Sequence, residues 1–327
     1  MTSRRFAPSI LTAGSTAMIA TVTLNPAFDR TIYVRGFRVG DTNRIERTEA
    51  DAGGKGINAA RMLAELGAET VALGFIGGRT GRFIEHVLAE EGIPTDFLHT
   101  KAETRTNVDV QDLAGGPPTG LNDRGGPITP HELDALRARV RFWAAKSKTV
   151  IVGGSVPQGA EPGIYRELIE IVQIEDARAV LDADDEPLSL GLTAHPMMIK
   201  PNVDEAGRLC GRELRTVEDV ATAARDLLQR GIEIVVVSMG ERGAVAVRGN
   251  EVWHAVPPKV EAVSTVGSGD SMVAGISLGL AQGRSLPESL ALGSAAGAAT
   301  AMTSGAEMGK RKDVDRLLPR VVLNRLR

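Results

Sequence analysis

Apolar runs of strand length alternate with amphipathic helical patterns along most of this chain. The runs that predict buried strands are Ile19–Leu24, Val71–Phe75, Thr149–Val152, Ala179–Leu181, Met197–Ile199 and Ile234–Val237. The helical patterns between and after them are Gly56–Leu66, Gly81–Glu91, Pro130–Ala145, Pro162–Ile171 and Val217–Gln229. This alternation predicts an α/β fold, with helices on both faces of a mostly parallel sheet. Ligands of such sheets bind beyond the carboxyl ends of the strands.

Two segments depart from the alternation. Thr31–Thr48 and Thr106–Leu121 alternate polar and apolar positions, are rich in β-branched residues and show no helical period. We expect them to form strands that project from the main sheet as a small lid, with an ordinary surface hairpin as the alternative. We further expect one domain over residues 18–327, preceded by a flexible extension over residues 1–17.

The composition of the chain argues against nucleic acids and membranes as binding partners. The chain has 327 residues, and its 38 Lys and Arg against 41 Asp and Glu leave a net charge of −3. Neither this balance nor an aromatic content of 3% favours nucleic-acid binding. The single cysteine, Cys210, excludes an intramolecular disulfide and fits a cytoplasmic location. No apolar run approaches the roughly 18 residues that cross a membrane, so we expect no membrane partner.

The most informative segment is a glycine-rich turn that leads into an apolar helix. Gly267, Ser268 and Gly269 would let an anion approach the backbone, where the following helix presents unpaired N–H groups. Asp270 follows, and its carboxylate could accept a proton from an attacking hydroxyl. An ordinary helix start with a favourable acidic residue is the alternative reading.

A second glycine-rich turn, Asp51–Asn58, opens another helix. Lys55 adds a positive charge to its exposed amides, and Asn58 lies in the first helical turn. The pattern suits an anion site, although a lysine in such a turn is often only solvated.

Two further segments bear on a nucleotide. Asn202 and Glu205 follow a buried strand at a spacing that could orient hydrated Mg²⁺, although Asn-x-x-Glu is also a common helix start. Residues 235–244 form a strand that leads into a glycine turn, which is either a simple β-turn or one wall of a nucleotide pocket.

Together and in this order, these segments resemble the ribokinase-like PfkB carbohydrate kinases over residues 18–320. Val266–Ser271 resembles the C-terminal signature of the family, Gly53–Asn58 its N-terminal glycine signature, and Lys200–Glu205 its magnesium motif. The resemblance implies a three-layer α/β/α fold with a small β-lid, through which members often form dimers.

The resemblance also implies roles for the matching positions. Asp270 would be the catalytic base, the amides of residues 267–269 would form an anion hole, and Asn202 and Glu205 would hold Mg²⁺ through water. The residues implied to line the ATP site are Lys200, Asn202, Ser238, Gly240, Gly243, Thr265 and Val266. The residues implied to bind the second substrate are Asp29, Gly53, Gly54, Lys55, Asn58, Arg105, Asn107 and Ser155.

The implied substrate is a sugar that already carries a phosphate. Lys55 is similar to the residue found in the family branches that act on fructose 1-phosphate and tagatose 6-phosphate, and Arg105 would bind the phosphate as a planar fork. The resemblance therefore implies ATP-dependent conversion of fructose 1-phosphate to fructose 1,6-bisphosphate. Tagatose 6-phosphate and fructose 6-phosphate remain alternative acceptors.

Rival functions are a kinase for an unphosphorylated sugar or nucleoside, and a non-catalytic sugar-phosphate sensor on the same fold. A nicotinamide dehydrogenase lacks support because no GxGxxG fingerprint follows the first strand. The chain also departs from the family pattern at three places. Ser268 stands where Ala is usual, residues 181–184 read Leu-Asp-Ala-Asp instead of an Asp-Ser-Ser/Thr run, and Thr303 lies where relatives often have Asn near the adenine.

Overall fold

The computed structural model of the chain describes residues 3–4 and 17–326. The strands are β1 (Ser3–Arg4), β2 (Ile19–Thr23), β3 (Ala27–Val34), β4 (Ile45–Gly53), β5 (Thr70–Ile76), β6 (Thr95–His99), β7 (Arg105–Asp112), β8 (Thr119–Leu121), β9 (Thr149–Gly153), β10 (Arg178–Asp182), β11 (Met198–Ile199), β12 (Ile234–Ser238), β13 (Ala244–Arg248), β14 (Glu251–Val256) and β15 (Val322–Arg325). The α-helices are α1 (Lys55–Glu65), α2 (Gly78–Glu90), α3 (Pro130–Ala144), α4 (Ile164–Ile174), α5 (Asp185–Gly191), α6 (Val203–Cys210), α7 (Val217–Leu228), α8 (Ser268–Ala281), α9 (Leu286–Thr300) and α10 (Arg311–Leu317). Short 3₁₀ turns span Leu192–Ala194, Gly240–Arg242 and Leu318–Arg320.

The main sheet has 11 strands in the order β1-β15-β14-β13-β12-β11-β10-β9-β2-β5-β6. Within this order, the strands at one end, β12-β11-β10-β9-β2-β5-β6, run parallel to one another. The four at the other end, β1, β15, β14 and β13, pair antiparallel. Apolar runs such as Thr70–Ile76 are buried along their whole length, as expected for a strand covered on both faces. The predicted α/β class with a mostly parallel sheet is confirmed.

Helices cover both faces of this sheet. One face packs against α3, α4, α6 and α7 through a core that includes Leu136, Tyr165 and Leu227. The other face packs against α1, α8 and α9 through Met62, Val273 and Leu290. The helices α8 and α9 lie in close contact, because a Cβ atom on Gly275 would come within 2.8 Å of the Gly293 backbone.

The five helices predicted from periodicity are present; three of them match the predicted bounds to within one residue, and the other two differ by two residues or more. Helix α2 begins at Gly78 instead of Gly81, and α4 continues to Ile174 instead of ending at Ile171. The extension of α4 follows from Val172, which is buried and continues the apolar face.

A second sheet of four strands, in the order β4-β3-β7-β8, forms the lid sheet. Strand β3 pairs antiparallel with β4 and parallel with β7. These strands occupy the two segments predicted to project from the main sheet, but β3 begins earlier, at Ala27. Most of the predicted extension over residues 1–17 lies outside the described residues, and the domain bounds stay a prediction. Among the residues that are described, no helix is long and apolar enough to cross a membrane.

Candidate active site

The N-terminus of α8 is the centre of the site. Gly267 is the N-cap residue and has a left-handed φ of 73°. A side chain there would be strained, and its Cβ would also lie 2.6 Å from the Met308 methyl carbon. The first helical turn, from Ser268, presents N–H groups that lack intrahelical partners and lie at the positive end of the helix dipole. Such a turn suits an anion.

Asp270 lies in this first turn and faces α1. Its Oδ2 accepts a hydrogen bond of 2.8 Å from Nδ2 of Asn58. Burial, and then the negative charge of Asp182, raise the pKa of Asp270 to about 6, although Lys55 and Asn58 act in the opposite direction. A carboxylate with a pKa near neutrality is suited to accept a proton from a hydroxyl.

Two lysines and two carboxylates form an ion-pair network beside Asp270. Nζ of Lys55 lies 2.7 Å from Oδ1 of Asp184 and 3.2 Å from Oδ1 of Asp182. The same Asp182 oxygen lies 3.7 Å from Nζ of Lys200. Lys200 in turn lies against the start of α8, because a Cβ atom on Gly269 would be 3.2 Å from its ammonium. The network therefore connects the start of α1 with the start of α8.

The charges of this network shift the pKa values of its members. Burial acts to raise the pKa of Asp182, but Lys200 and Lys55 outweigh it and hold the pKa below its ordinary value. Burial acts to lower the pKa of Lys55, but Asp182 and Asp184 outweigh it and raise the pKa. Asp182 and Lys55 are therefore both held in their charged forms.

Asn202 and Glu205 form a capping box at the start of α6. Oδ1 of Asn202 accepts from the Glu205 amide at 2.9 Å, and Oε2 of Glu205 accepts from the Asn202 amide at 2.8 Å. Burial raises the pKa of Glu205, and the nearby carboxylate of Asp184 raises it further. Asn202 pairs with Ser238 in an isolated parallel bridge, which places the motif beside the end of β12. Oxygen donors that are already engaged in a capping box fit a hydrated Mg²⁺ contacted through water.

The turn after β12 is a single 3₁₀ turn over Gly240–Arg242 instead of a simple β-turn. It is closed by a hydrogen bond of 2.8 Å from the Met239 amide to the Gly243 carbonyl. Gly243 has a φ of 89° and no room for a side chain, since its Cβ would lie 1.8 Å from the Ala255 carbonyl oxygen.

Thr265 and Val266 precede α8 and are exposed. Thr303 donates a hydrogen bond of 2.7 Å to the Thr300 carbonyl, so its hydroxyl is engaged within its own turn.

A second Asp–Asn pair lies on the lid sheet. Nδ2 of Asn107 donates to Oδ1 of Asp29 at 2.9 Å. Burial raises the pKa of Asp29 to about 6, against the opposing effects of Asn107 and Arg105. Gly53 makes room for this carboxylate, because a Cβ atom there would lie 1.8 Å from Oδ2 of Asp29. The neighbouring Gly54, with a φ of 123°, is the N-cap residue of α1.

Arg105 and Ser155 are linked through Asn25, a residue that the sequence analysis did not select. The Asn25 carbonyl accepts from Nε of Arg105 at 3.1 Å, and its Nδ2 donates to the Ser155 hydroxyl at 3.1 Å. Nη1 of Arg105 also donates to the Asp123 carbonyl at 2.8 Å. Asn25 is buried two residues after the end of β2, so its position at the carboxyl end of a central strand was the signal that could have found it.

Three buried polar atoms at the site have no hydrogen-bond partner among the described residues. They are Oδ1 of Asn58, Oδ1 of Asn107 and the hydroxyl of Ser268. A bound ligand or an ordered water can supply the partner that such an atom lacks. The two amide oxygens accept hydrogen bonds only, so they suit the hydroxyl groups of a sugar.

The structure thus brings Asp270, Asn58, Lys55 and Lys200 together, with Glu205 reached through Asp184. It places Asp29, Asn107 and Arg105 together on the lid side. The Lys55 ammonium is directed at Asp182 and Asp184. That Lys55 and Arg105 hold one phosphate between them stays a prediction.

The fold and this site define a sugar kinase of the ribokinase-like class. The chain belongs to the pfkB family of carbohydrate kinases, whose model matches residues 22–312. Sugar kinases of this family take their phosphoryl group from ATP.

Individual relatives agree with this assignment. The chain is 36% identical to 1-phosphofructokinase of Bacillus subtilis, over 94% of this chain and 100% of that protein. It is 39% identical to 1-phosphofructokinase of Rhodobacter capsulatus, over 86% and 89%.

Solved structures show the same fold. Phosphofructokinase-2 of Escherichia coli with substrates and products has a TM-score of 0.88 at 32% identity, over 92% of this chain and 98% of that one. Ribokinase of Thermotoga maritima has a TM-score of 0.74 at 21% identity, over 92% and 98%, and supports the fold alone.

Proposed function

We propose that this protein transfers a phosphoryl group from Mg·ATP to a ketohexose phosphate, and that it converts fructose 1-phosphate to fructose 1,6-bisphosphate. The observation that carries the proposal is the Asp270 carboxylate, which lies in the first turn of α8 and accepts a hydrogen bond from Asn58 at the start of α1. A base and an anion site therefore share one helix end.

The chemistry follows from these positions. Asp270 accepts the proton of the acceptor hydroxyl as that oxygen attacks the terminal phosphorus of ATP in line, and the bond from this phosphorus to the bridging oxygen breaks, so that ADP leaves. The amides of Gly267, Ser268 and Gly269 stabilise negative charge on the transferring group. Lys200, against the same helix end, adds a positive charge. No covalent intermediate with the enzyme is needed.

The nucleotide lies along the ends of β11 and β12 in this proposal, with Ser238, Gly240 and Gly243 at one side and Thr265 and Val266 near the nucleoside. Asn202 and Glu205 would hold Mg²⁺ through water. When bound, Mg²⁺ neutralises charge on the phosphate oxygens.

The sugar phosphate lies between the lid sheet and α1. Asp29 and the two unpartnered amide oxygens of Asn58 and Asn107 accept hydrogen bonds from its hydroxyl groups. Lys55, in the ion-pair network beside Asp270, supplies positive charge at the acceptor end of the sugar. Arg105 supplies positive charge for its existing phosphate, and Ser155 lies beside Arg105 through Asn25. An unphosphorylated sugar would leave this charge unused.

Fructose 6-phosphate is the second candidate acceptor. A structure of Escherichia coli phosphofructokinase-2 in complex with fructose 6-phosphate has a TM-score of 0.86 at 31% identity. A ketohexose phosphate has a phosphate at one end and a CH₂OH group at the other, so the same pocket could take either orientation. Tagatose 6-phosphate is a further acceptor to test.

We also propose a homodimer formed through the lid sheet, in the cytoplasm. Ile45 on β4 and Leu121 on β8 are exposed by 52% and 59%. These strands are the two edges of the lid sheet, and exposed apolar side chains at sheet edges favour pairing with a second copy.

The test is an ADP-release assay of the purified protein with fructose 1-phosphate, fructose 6-phosphate, tagatose 6-phosphate and free fructose. We expect the highest kcat/KM with fructose 1-phosphate and the lowest with free fructose. Asp270→Asn serves as the inactive reference. ADP release no faster than that of this variant with every sugar phosphate would reject the proposal, and sugar-phosphate binding without turnover would favour a sensor.

A further inference from the structure

We propose that Asp184 is a positioning residue for phosphoryl transfer and that it acts by holding the Lys55 ammonium at the transfer centre. This inference rests on the kinase activity proposed above. Asp184 belongs to the run of residues 181–184, which departs from the Asp-Ser-Ser/Thr pattern that the resemblance leads us to expect. A serine or threonine hydroxyl could not form an ion pair at this position.

The ion-pair geometry gives Asp184 the shortest contact that Lys55 makes. Oδ1 of Asp184 lies 2.7 Å from Nζ of Lys55, compared with 3.2 Å for Asp182. An ammonium has three N–H donors, so these two contacts leave one donor for an incoming phosphate oxygen. Two carboxylates together determine where that third donor points.

Asp182 alone would hold Lys55 less firmly, because its carboxylate also forms an ion pair with Lys200. One oxygen of Asp182 lies within 3.7 Å of Nζ of Lys200 as well as within 3.2 Å of Lys55. The side chain of Asp182 is 3% exposed, whereas that of Asp184 is 45% exposed at the open side of the network. Asp184 is therefore the partner that Lys55 does not share with the other lysine.

The local backbone supports the same conclusion. Asp184 occupies the N-cap position of α5, where an aspartate side chain usually accepts a hydrogen bond from the first helical turn. Here it makes no such bond, and its carboxylate lies against Lys55 instead. The next residue, Asp185, has a φ of 48°, a region that residues other than glycine seldom adopt. Asp184 therefore forms an ion pair with Lys55 in place of a helix-capping hydrogen bond, and Asp185 beside it has the unfavourable left-handed conformation.

The test separates an effect through Lys55 from an effect on folding. Asp184→Asn and Asp184→Ser would be compared with the wild type for kcat, for KM of each substrate and for thermal unfolding. Asp185→Asn is the matched control, since it removes the same charge one residue away, from a carboxylate that pairs with Arg208. Asparagine also tolerates the left-handed conformation at this position.

We expect Asp184→Asn to lower kcat about ten-fold, because a small displacement of a charged group at the reacting centre is costly. We expect Asp185→Asn to leave kcat unchanged. In a Lys55→Met background, adding Asp184→Asn should change kcat by less than about two-fold, because the interaction it removes is already absent.

An equal loss in both backgrounds would show that Asp184 acts independently of Lys55 and would overturn the proposal. An unchanged or higher kcat in Asp184→Asn would overturn it too, since Asp184 would then be neutral or a competitor of the substrate anion. If the asparagine variant does not fold, Asp184→Ser decides by the same criteria. A wild-type protein without ADP release would instead reject the proposed kinase activity, and this inference with it.

Discussion

Replacing Asp270 with asparagine should make the protein more stable while it removes most of the activity. The amide oxygen of asparagine can still accept the hydrogen bond that Asn58 donates at 2.8 Å, so the local geometry is retained. What changes is the charge. Burial and the negative charge of Asp182 raise the pKa of Asp270 to about 6, so the folded state disfavours the ionised carboxylate. A neutral amide avoids that cost.

The magnitude follows from the shift in pKa. A rise from 3.8 to about 6 corresponds to at most about 3 kcal/mol at neutral pH. Asp270 is partly exposed and interacts with two lysines, so we expect about 1–2 kcal/mol. The folded protein binds this proton more tightly than the unfolded chain does. The contribution of Asp270 to stability is therefore complete below about pH 4 and is lost as pH rises through about 6.

Urea unfolding of both proteins between pH 4 and 8 measures this difference directly. Near pH 4 the free energy of unfolding of Asp270→Asn should exceed that of the wild type only slightly. The difference should grow up to about pH 6 and should stay constant above it. Its kcat at neutral pH should fall by about 10²–10⁴-fold, the usual contribution of a positioned base. A variant that is less stable than wild type at pH 7, or a difference that does not vary with pH, would refute the reasoning.

Asp182→Asn is the matched variant, for which we expect the opposite change in stability. Lys200 and Lys55 hold the pKa of Asp182 below its ordinary value despite burial, so its charge stabilises the fold. Removing it leaves two ammonium groups without their shared partner. We expect a loss of about 3 kcal/mol at pH 7, measured by the same unfolding experiment. Equal stability of the two proteins would show that the network contributes little.

Three further predictions concern the lid side. Gly53→Ala should displace Asp29, whose Oδ2 would lie 1.8 Å from the new Cβ, and should raise the KM for the sugar phosphate about ten-fold. Gly120→Ala is its control, because a Cβ atom there has no neighbour within 4 Å, and a similar rise in KM for both would contradict this role. Arg105→Lys keeps the charge but not the planar fork, so the KM for the sugar phosphate should rise about ten-fold with that for ATP unchanged, and an unaltered KM would remove Arg105 from the phosphate site. Ile45→Glu should convert a dimer to monomers in sedimentation velocity, and a persistent dimer would place the interface elsewhere.

Much of the fold could be predicted from local pattern, because strands buried on both faces and amphipathic helices leave clear signals. The early start of β3 at Ala27 could not, since Asn25 and Pro26 read as a loop after β2. The first residues of β3 are strand because they pair with Arg105 and Gly53, contacts that connect distant parts of the chain.

The site was predictable residue by residue but not in its contacts. The resemblance pointed to Asp270, Lys55 and Lys200, yet the partners of Lys55 lie 127 and 129 positions further along the chain. They meet because β9 lies between β2 and β10, which brings the carboxyl ends of these strands together. Strand order is a property of the whole sheet, so no local pattern specifies this ion-pair network.

Asp182 and Asp270 illustrate how the network separates the roles of two neighbouring carboxylates. Asp182 contacts both ammonium groups, so its charge is neutralised and its pKa is held low. Asp270 receives a hydrogen bond from Asn58 but no direct contact from either ammonium among the described residues, and its pKa rises to about 6. Two carboxylates whose surroundings move their pKa values apart are suited to different tasks. Because Asp182 neutralises the charges of the two lysines, the pKa of Asp270 stays high enough for its carboxylate to accept a proton. It is still low enough for Asp270 to be ionised at neutral pH.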